Sequence, residues 1–207
     1  NDGNAYPDLN PMILSGSRTV VFTGRQFVSG TRRGYTGVDV LLGAGSFTNT
    51  LVPTGSGGDN FGQPQSSTEI ACGWLGGGSA DSIYYGKYNI NTNTYSDVKN
   101  VFSGVPANAR QYTAANGNQN VAIAYWFATA PTKLVYKEST NNGTSFGSEQ
   151  TIFSEGTVVN GSAIAPWFNA DMIYKPNSNT LCMAFGTLFT GNLATAGGSK
   201  LMFWSPT

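Results

Sequence analysis

The sequence predicts an all-β domain, a β-propeller of about four blades built from four-stranded repeats of about 50 residues. Three observations predict it. No window carries a sustained i, i+3, i+4, i+7 apolar pattern, so helices are not expected. Short β-branched and aromatic runs recur instead, among them Thr19–Phe22, Val38–Leu42, Ile83–Tyr85, Val121–Tyr125 and Leu201–Trp204, each bounded by Gly, Asn or Ser clusters. Finally, the chain resembles itself when shifted by 51 residues.

Under that shift, residues 69–104 lie over 120–155 without a gap. Ile70 meets Val121, Cys72 meets Ile123 and Trp74 meets Tyr125 in one strand. Ile83 meets Leu134 and Tyr85 meets Tyr136 in the next, and Tyr95, Val101 and Phe102 meet Phe146, Ile152 and Phe153 in the last. A third copy follows, with Leu181–Phe185 over Val121–Tyr125 and Lys200–Phe203 over Lys133–Tyr136 after a longer loop. A divergent copy opens the chain, where Met12-Ile13, a turn and Thr19–Phe22 resemble Met172-Ile173, a turn and Thr180–Met183. These copies divide one domain, 1–207, into units of roughly 1–65, 66–107, 108–160 and 161–207. Four antiparallel strands cannot bury both of their own faces, and stacking such units around an axis buries them.

The third unit carries a motif in the turn after its third strand, Ser139-Thr140-Asn141-Asn142-Gly143-Thr144-Ser145-Phe146. An Asx side chain there can bond its own turn, Gly can take positive φ, and the aromatic can pack back between blades. The turn resembles the Asp-box of sialidase-like propellers, whose pattern is Ser-x-Asp-x-Gly-x-x-Trp. Ser139 and Gly143 match it, while Asn141 stands for the Asp and Phe146 for the Trp. The resemblance implies a propeller fold in which this turn is structural and remote from any active site. Sialidases of the family use an arginine triad, a Tyr/Glu nucleophile pair and an Asp acid/base on a six-bladed ring. The arginines Arg18, Arg25, Arg32, Arg33 and Arg110 do not fall on such a triad, and four units are too few for that ring. The resemblance therefore implies fold and no catalytic residues.

Composition narrows the function further. Eleven Lys and Arg balance eleven Asp and Glu, and charged residues make up only 11% of the chain. A nucleic-acid binder works by releasing counterions from phosphates, and this sequence has no cationic excess to do so. Asn, Thr, Ser and Gly must supply the polar surface, a composition associated with extracellular, cell-surface or virion-surface proteins. No apolar run is long enough to insert in a membrane as a helix. Histidine is absent, so no metal ligand set and no cofactor is expected. Cys72 and Cys182 lie in apolar runs and are read as buried free thiols, a disulfide between them being the other reading.

Sugar recognition needs aromatic faces plus a few groups that fix hydroxyls. Candidates for ligand binding are Trp167 in a loop-like Ala-Pro-Trp-Phe-Asn run, Tyr112, Arg25, Arg110, Asp171 and Asp8. Trp74 and Trp126 are read first as packing between blades. Asp8 and Asp171 precede the innermost strands of the first and last units, where furanosidase propellers place catalytic acids; Gln111–Thr113 occupies that place in the third unit. No catalytic set is assembled. The expectation is a non-catalytic module that binds glycan or another surface, with a structural subunit of an extracellular or virion assembly as the alternative and a glycosidase fragment behind both. Two sequons, at Asn142 and Asn160, discriminate little. Phe146, Tyr95 and Phe153 are expected to be buried between blades, with Asn142 and Thr144 exposed. The last unit stops at its third strand, and Thr207 joined to Asn1–Tyr6 resembles Thr140–Phe146. The N-terminal segment is thus expected to complete the last blade, within one chain or between copies.

Overall fold

Alternating apolar positions broken by Gly, Asn and Ser make strands, and here they make them in consecutive meanders. The computed structural model describes residues 10–13, 20–28, 31–39, 48–54, 60–76, 82–106, 109–117, 119–127, 133–159, 162–189 and 199–206. Side chains are described over 50–54, 62–76, 82–106, 109–117, 119–126, 133–157, 170–186 and 201–206. The first sheet holds β1 (Asn10–Ile13), β2 (Val20–Val28), β3 (Thr31–Asp39) and β4 (Thr48–Leu51). The second holds β5 (Asn60–Pro64), β6 (Glu69–Leu75), β7 (Ser82–Asn89) and β8 (Thr94–Ser103). In the third are β9 (Arg110–Ala115), β10 (Val121–Phe127), β11 (Lys133–Ser139) and β12 (Gln150–Ser154). The fourth is built from β13 (Val158–Val159), β14 (Ser162–Tyr174), β15 (Leu181–Phe189) and β16 (Ser199–Trp204).

Each sheet pairs its strands in chain order and antiparallel, as propeller blades do. The repeat is visible in the register itself. Trp74 pairs with Tyr84, Tyr125 with Val135 and Phe185 with Met202, which are equivalent positions of three sheets. The second sheet begins at Asn60, so the unit boundary expected after residue 65 falls inside its first hairpin. Polar Asn60 and Gln63 and the residue Pro64 hide that strand from a pattern search.

Packing between blades accounts for the core. Ala71, Ile83 and Tyr85 of the second sheet meet Val121, Ile123, Tyr125 and Val135 of the third. Ala122, Ala124, Leu134 and Tyr136, on the other face of the third sheet, meet Met172, Tyr174, Leu181 and Met183 of the fourth. Full burial of a side chain such as Ile83 or Leu134 contributes about 1.5–3 kcal/mol. Gly73 lets β9 come close, since a Cβ there would collide with the Thr113 hydroxyl, and its carbonyl accepts from buried Gln111 Nε2 at 2.8 Å. Trp74 is fully buried, stacks on Tyr84 and donates from Nε1 to Thr54 O at 2.9 Å. Trp126 is buried in the next interface, so both tryptophans are packing residues.

The turn Ser139–Phe146 closes on itself. Ser139 Oγ accepts from Gly143 N–H at 2.9 Å, and Asn141 Oδ1 accepts from Ser145 N–H at 2.9 Å. Asn142 and Gly143 both take left-handed φ, at 56° and 73°. Gly143 is required twice over, because a Cβ would also strike the Tyr85 ring of the preceding sheet. Phe146 packs edge-on against that same ring at 5.3 Å. Three burial expectations change here. Phe153 is buried, but Phe146 and Tyr95 are half-buried, because they sit on the outer margin of the blades. Asn142 is half-buried and not exposed, since its Oδ1 accepts from Gln65 Nε2 at 2.9 Å across the sheet interface. Thr144 is exposed, and its carbonyl accepts from Lys99 Nζ.

Cys72 and Cys182 are free thiols. Cys72 is buried, whereas Cys182 is half-buried on an outer face of the fourth sheet. The N-terminal segment expected to complete the last blade precedes β1, whose Asn10–Ile13 is bonded to β2 in the first sheet. Residues 1–9 lie outside the described residues. Two outcomes follow from this packing. Phe146→Ala should lower the unfolding free energy by about 2–4 kcal/mol in urea denaturation, less than a fully buried Phe would cost. The near-buried Lys87 ammonium pairs with Asp97 at 2.8 Å, and donation from Lys87 holds the Asp97 carboxyl below its ordinary value. A depressed carboxyl stabilises the fold above its unfolded pKa and loses that contribution as pH falls. Urea midpoints should therefore decline below about pH 4 in the parent and decline less in Asp97→Asn.

Candidate functional site

The first strand of each blade is innermost, so residues at one end of β9 and β14 are brought together by the fold. β9 starts at Arg110, whose side chain is exposed and which lies across from Trp126 in the ladder. Two residues on, Tyr112 is half-buried and reaches across to the fourth sheet. Its hydroxyl oxygen accepts from Trp126 Nε1 at 2.7 Å and from the Ala170 backbone N–H at 3.3 Å.

The bond to Ala170 matters because of where Ala170 stands. β14 runs for 13 residues, and its register with β15 shifts between Trp167 and Ala170, a bulge that bends the strand. Bulges concentrate where a strand must re-aim side chains. Tyr112 therefore anchors the third sheet to the bulge that follows Trp167. Arg110, Tyr112 and the Trp167–Ala170 backbone form one cluster at the junction of the third and fourth sheets. The Trp167 and Arg25 side chains lie outside the described ones, with Arg25 on β2 of the first sheet, and Asp8 is outside the described residues. Asp171 follows the bulge directly, is exposed, and its carboxylate accepts the Met172 N–H at 2.9 Å. It alternates with Met172, which faces the third sheet, and so belongs to the outer face of the last sheet.

A cavity of about 780 Å³ lies at the opposite end, about 17 Å along β9 from Arg110. The hairpin turns of three blades line it with Gln65, Ser66, Asn116, Lys175 and Ser178, beside Tyr174. Gln65 is buried, and its Oε1 has no hydrogen-bond partner although its Nε2 is held by Asn142. Tyr174 donates to Glu138 at 2.7 Å; burial first, then that bond, holds its phenol well above the ordinary value. The wall is thus neutral amide and hydroxyl with one ammonium. This end also carries the Ser139–Phe146 turn, through the Gln65–Asn142 bond. Among the described residues, no group of three or more His, Cys, Asp or Glu could hold a metal ion.

The sequence pointed to Arg110, Tyr112 and Trp167 separately, and the fold joins their strand positions. It did not point to the bulge or to the Ala170 N–H, although an apolar stretch from Ser162 to Tyr174 with Pro166 inside it is too long for one regular strand. Gln65 and the cavity were also missed, because they arise from three separate turns.

No protein-family model matches the sequence, and no curated protein matches it. Solved structures do. A mutant of the α-L-arabinofuranosidase Arb93A from Fusarium graminearum, in complex with an iminosugar inhibitor, superposes with a TM-score of 0.54 at 12% identity. The match covers 93% of this chain and 63% of that one, so this chain spans less than two thirds of the arabinofuranosidase. The NanB sialidase from Streptococcus pneumoniae matches with a TM-score of 0.48 at 11% identity, over 75% of this chain and 24% of its own. A neuraminidase-like protein from a flat-faced bat isolate gives 0.48 at 10%, over 91% and 58%. The fold is a β-propeller. Identities this low establish fold alone.

The junction sets its own test. Tyr112→Phe leaves the Trp126 and Ala170 N–H groups without their acceptor at unchanged shape, and should cost about 1–3 kcal/mol in chemical denaturation.

Proposed function

We propose that the chain is a non-catalytic extracellular module that binds glycan at the blade end where Arg110, Tyr112 and the Trp167–Ala170 bulge gather. The observation that carries this reading is the bridge from the Tyr112 hydroxyl to the bulge of β14. It holds a half-buried phenol, two residues along β9 from exposed Arg110, against the bulge that follows Trp167 in the β14 backbone. A planar guanidinium fork bonds paired sugar hydroxyls, and aromatic faces accept sugar C–H surfaces. An arabinofuranosidase with this fold holds an iminosugar inhibitor, which supports a sugar-directed use of the architecture.

The Ser139–Phe146 turn serves in this reading as an Asp-box with Asn141 in place of the Asp. Its internal bonds support the assignment, and it lies at the end away from Arg110, as a structural turn remote from the site should. A hydrolytic role would need two facing carboxylates, and Asp171 points to the outer face instead. The alternative, a structural subunit of an extracellular or virion assembly, is favoured by a different observation: Leu201 and Phe203 are 63% and 77% exposed on the last strand.

Screening immobilised glycans with the purified chain and titrating the hits tests the proposal. Binding should be found, and Arg110→Ala should weaken it about ten- to a hundredfold, the worth of one or more charge-assisted hydrogen bonds. Lys175→Ala, at the cavity end, should leave affinity unchanged. A screen without hits, or affinity that follows Lys175 and ignores Arg110, would overturn it.

A further inference from the structure

Asn followed by Gly occurs three times in the chain, at Asn116, Asn142 and Asn160. In this dipeptide the asparagine side chain is open to attack by the main chain, because the glycine carries no Cβ to hinder its own nitrogen. Asn160 lies outside the described residues, and the other two pairs can be compared directly. Much is matched between them. Asn116 and Asn142 are both half-buried, and Gly117 and Gly143 both take left-handed φ, at 67° and 73°. Both side-chain carbonyls accept an N–H: Asn116 Oδ1 from the Asn120 backbone at 3.1 Å, and Asn142 Oδ1 from Gln65 Nε2 at 2.9 Å. Such a bond stabilises negative charge on the carbonyl oxygen as a nucleophile adds to Cγ.

The two nucleophiles are not alike. The Gly143 N–H donates to Ser139 Oγ at 2.9 Å inside the closed turn, and Gly143 is buried. Asn142 before it is pinned as well, its own N–H donating to Gln119 O at 2.6 Å. The Gly117 N–H is bonded to no described residue, and Gly117 is exposed where it lines the cavity. Attack begins when hydroxide removes the proton from this nitrogen. A free, exposed N–H meets that condition in the folded chain, whereas a bonded, buried one meets it only when the turn opens locally. Loss of the Ser139 and Gln65 bonds in such an opening holds Asn142 back by about tenfold or more.

We infer that Asn116-Gly117 is a site of spontaneous deamidation in the folded protein, while Asn142-Gly143 is kept unreactive by its own turn. The Gly117 nitrogen, its proton lost to hydroxide, bonds to Asn116 Cγ. The Cγ–Nδ2 bond then breaks, and Nδ2 leaves as ammonia with a proton taken from water. Water opens the resulting cyclic imide at either carbonyl, giving aspartate or isoaspartate at position 116. In net terms the amide and a water become a carboxylate and an ammonium ion. The change falls on a tie between blades. Asn116 Nδ2 donates to Asn179 Oδ1 at 2.9 Å and to Ser178 O at 3.4 Å, joining the third sheet to the turn between β14 and β15. A carboxylate in its place donates nothing and sets a negative charge against two acceptor oxygens. Deamidation therefore loosens the third sheet from the fourth at the cavity.

Incubating the native chain in mildly alkaline buffer and mapping its peptides by mass spectrometry tests this without any substitution. The peptides that hold Asn116 and Asn142 are read for the mass gain of an amide turned to an acid, and for the paired peaks of aspartate and isoaspartate. Asn116 should convert about tenfold faster than Asn142, or more, and in concentrated urea the two rates should converge. Ion exchange separates the modified fraction by its added negative charge, and that fraction should unfold at a lower urea concentration than the unmodified one. Asn116→Asp, which carries the charge without the ring chemistry, should show the same fall before any incubation. Three results would each overturn the inference: Asn142 converting as fast as Asn116 in the native chain, Asn116 staying intact there while the urea-treated chain converts it, or a modified fraction as stable as the unmodified one. No ligand enters the measurement, so its failure is distinct from a failure of the binding reading.

Discussion

A blade with apolar residues on both faces has no solvated side, and everything else in this protein follows from that constraint. The third sheet shows it most fully. Val121, Ile123 and Tyr125 point to one neighbour while Ala122, Ala124 and Trp126 point to the other, and all six are buried. In a sandwich one alternate set would be polar. Here β10 reads Val-Ala-Ile-Ala-Tyr-Trp-Phe, a continuous apolar run that only a sheet between two sheets can accommodate. Small residues on one face and large ones on the other set the wedge: Ala122 and Ala124 receive Met172 and Met183, and Gly73 receives Thr113.

Several polar groups that this packing traps are satisfied across blades. Gln111 reaches the Gly73 carbonyl, Lys137 reaches the Val101 carbonyl, Asn142 takes the Gln65 amide and Tyr112 takes the Ala170 N–H. Each bond tests the position of one sheet against the next, so the polar network specifies blade spacing while the apolar faces supply most of the free energy. The low charge of the sequence fits this arrangement. Neutral amides and hydroxyls can be desolvated at an interface for far less than an ammonium or a carboxylate would cost.

How much of this was legible depends on whether a feature is local or periodic. The 51-residue shift exposed three strands of two blades, and their register is the one found, because an apolar set that slipped by one residue would turn outward. The Ser139–Phe146 turn was legible for a similar reason, since its bonds span at most four residues. β5 escaped notice because its sequence, Asn-Phe-Gly-Gln-Pro, has one large apolar residue. The half-burial of Asn142 depends on Gln65, 77 residues away, and the cavity depends on three turns at once, so neither leaves a mark in any one stretch of chain. The candidate site lies between these cases. Arg110, Tyr112 and Trp167 could be named from residue type and context, but not the bulge that relates them.

The order of blades along the chain has a consequence for synthesis. Each sheet is drawn from one uninterrupted stretch, and successive sheets follow one another in space as they do in sequence. A nascent polypeptide can therefore complete blades one after another as it leaves the ribosome, with mostly local contacts to form at each stage. At every stage the newest blade turns an unsheathed apolar face toward the cytosol or translocation machinery until the next arrives. Leu201 and Phe203 are exposed apolar residues of this kind on the fourth sheet. Any holdase that protects this protein during its birth needs to recognise only one surface, presented again with each blade.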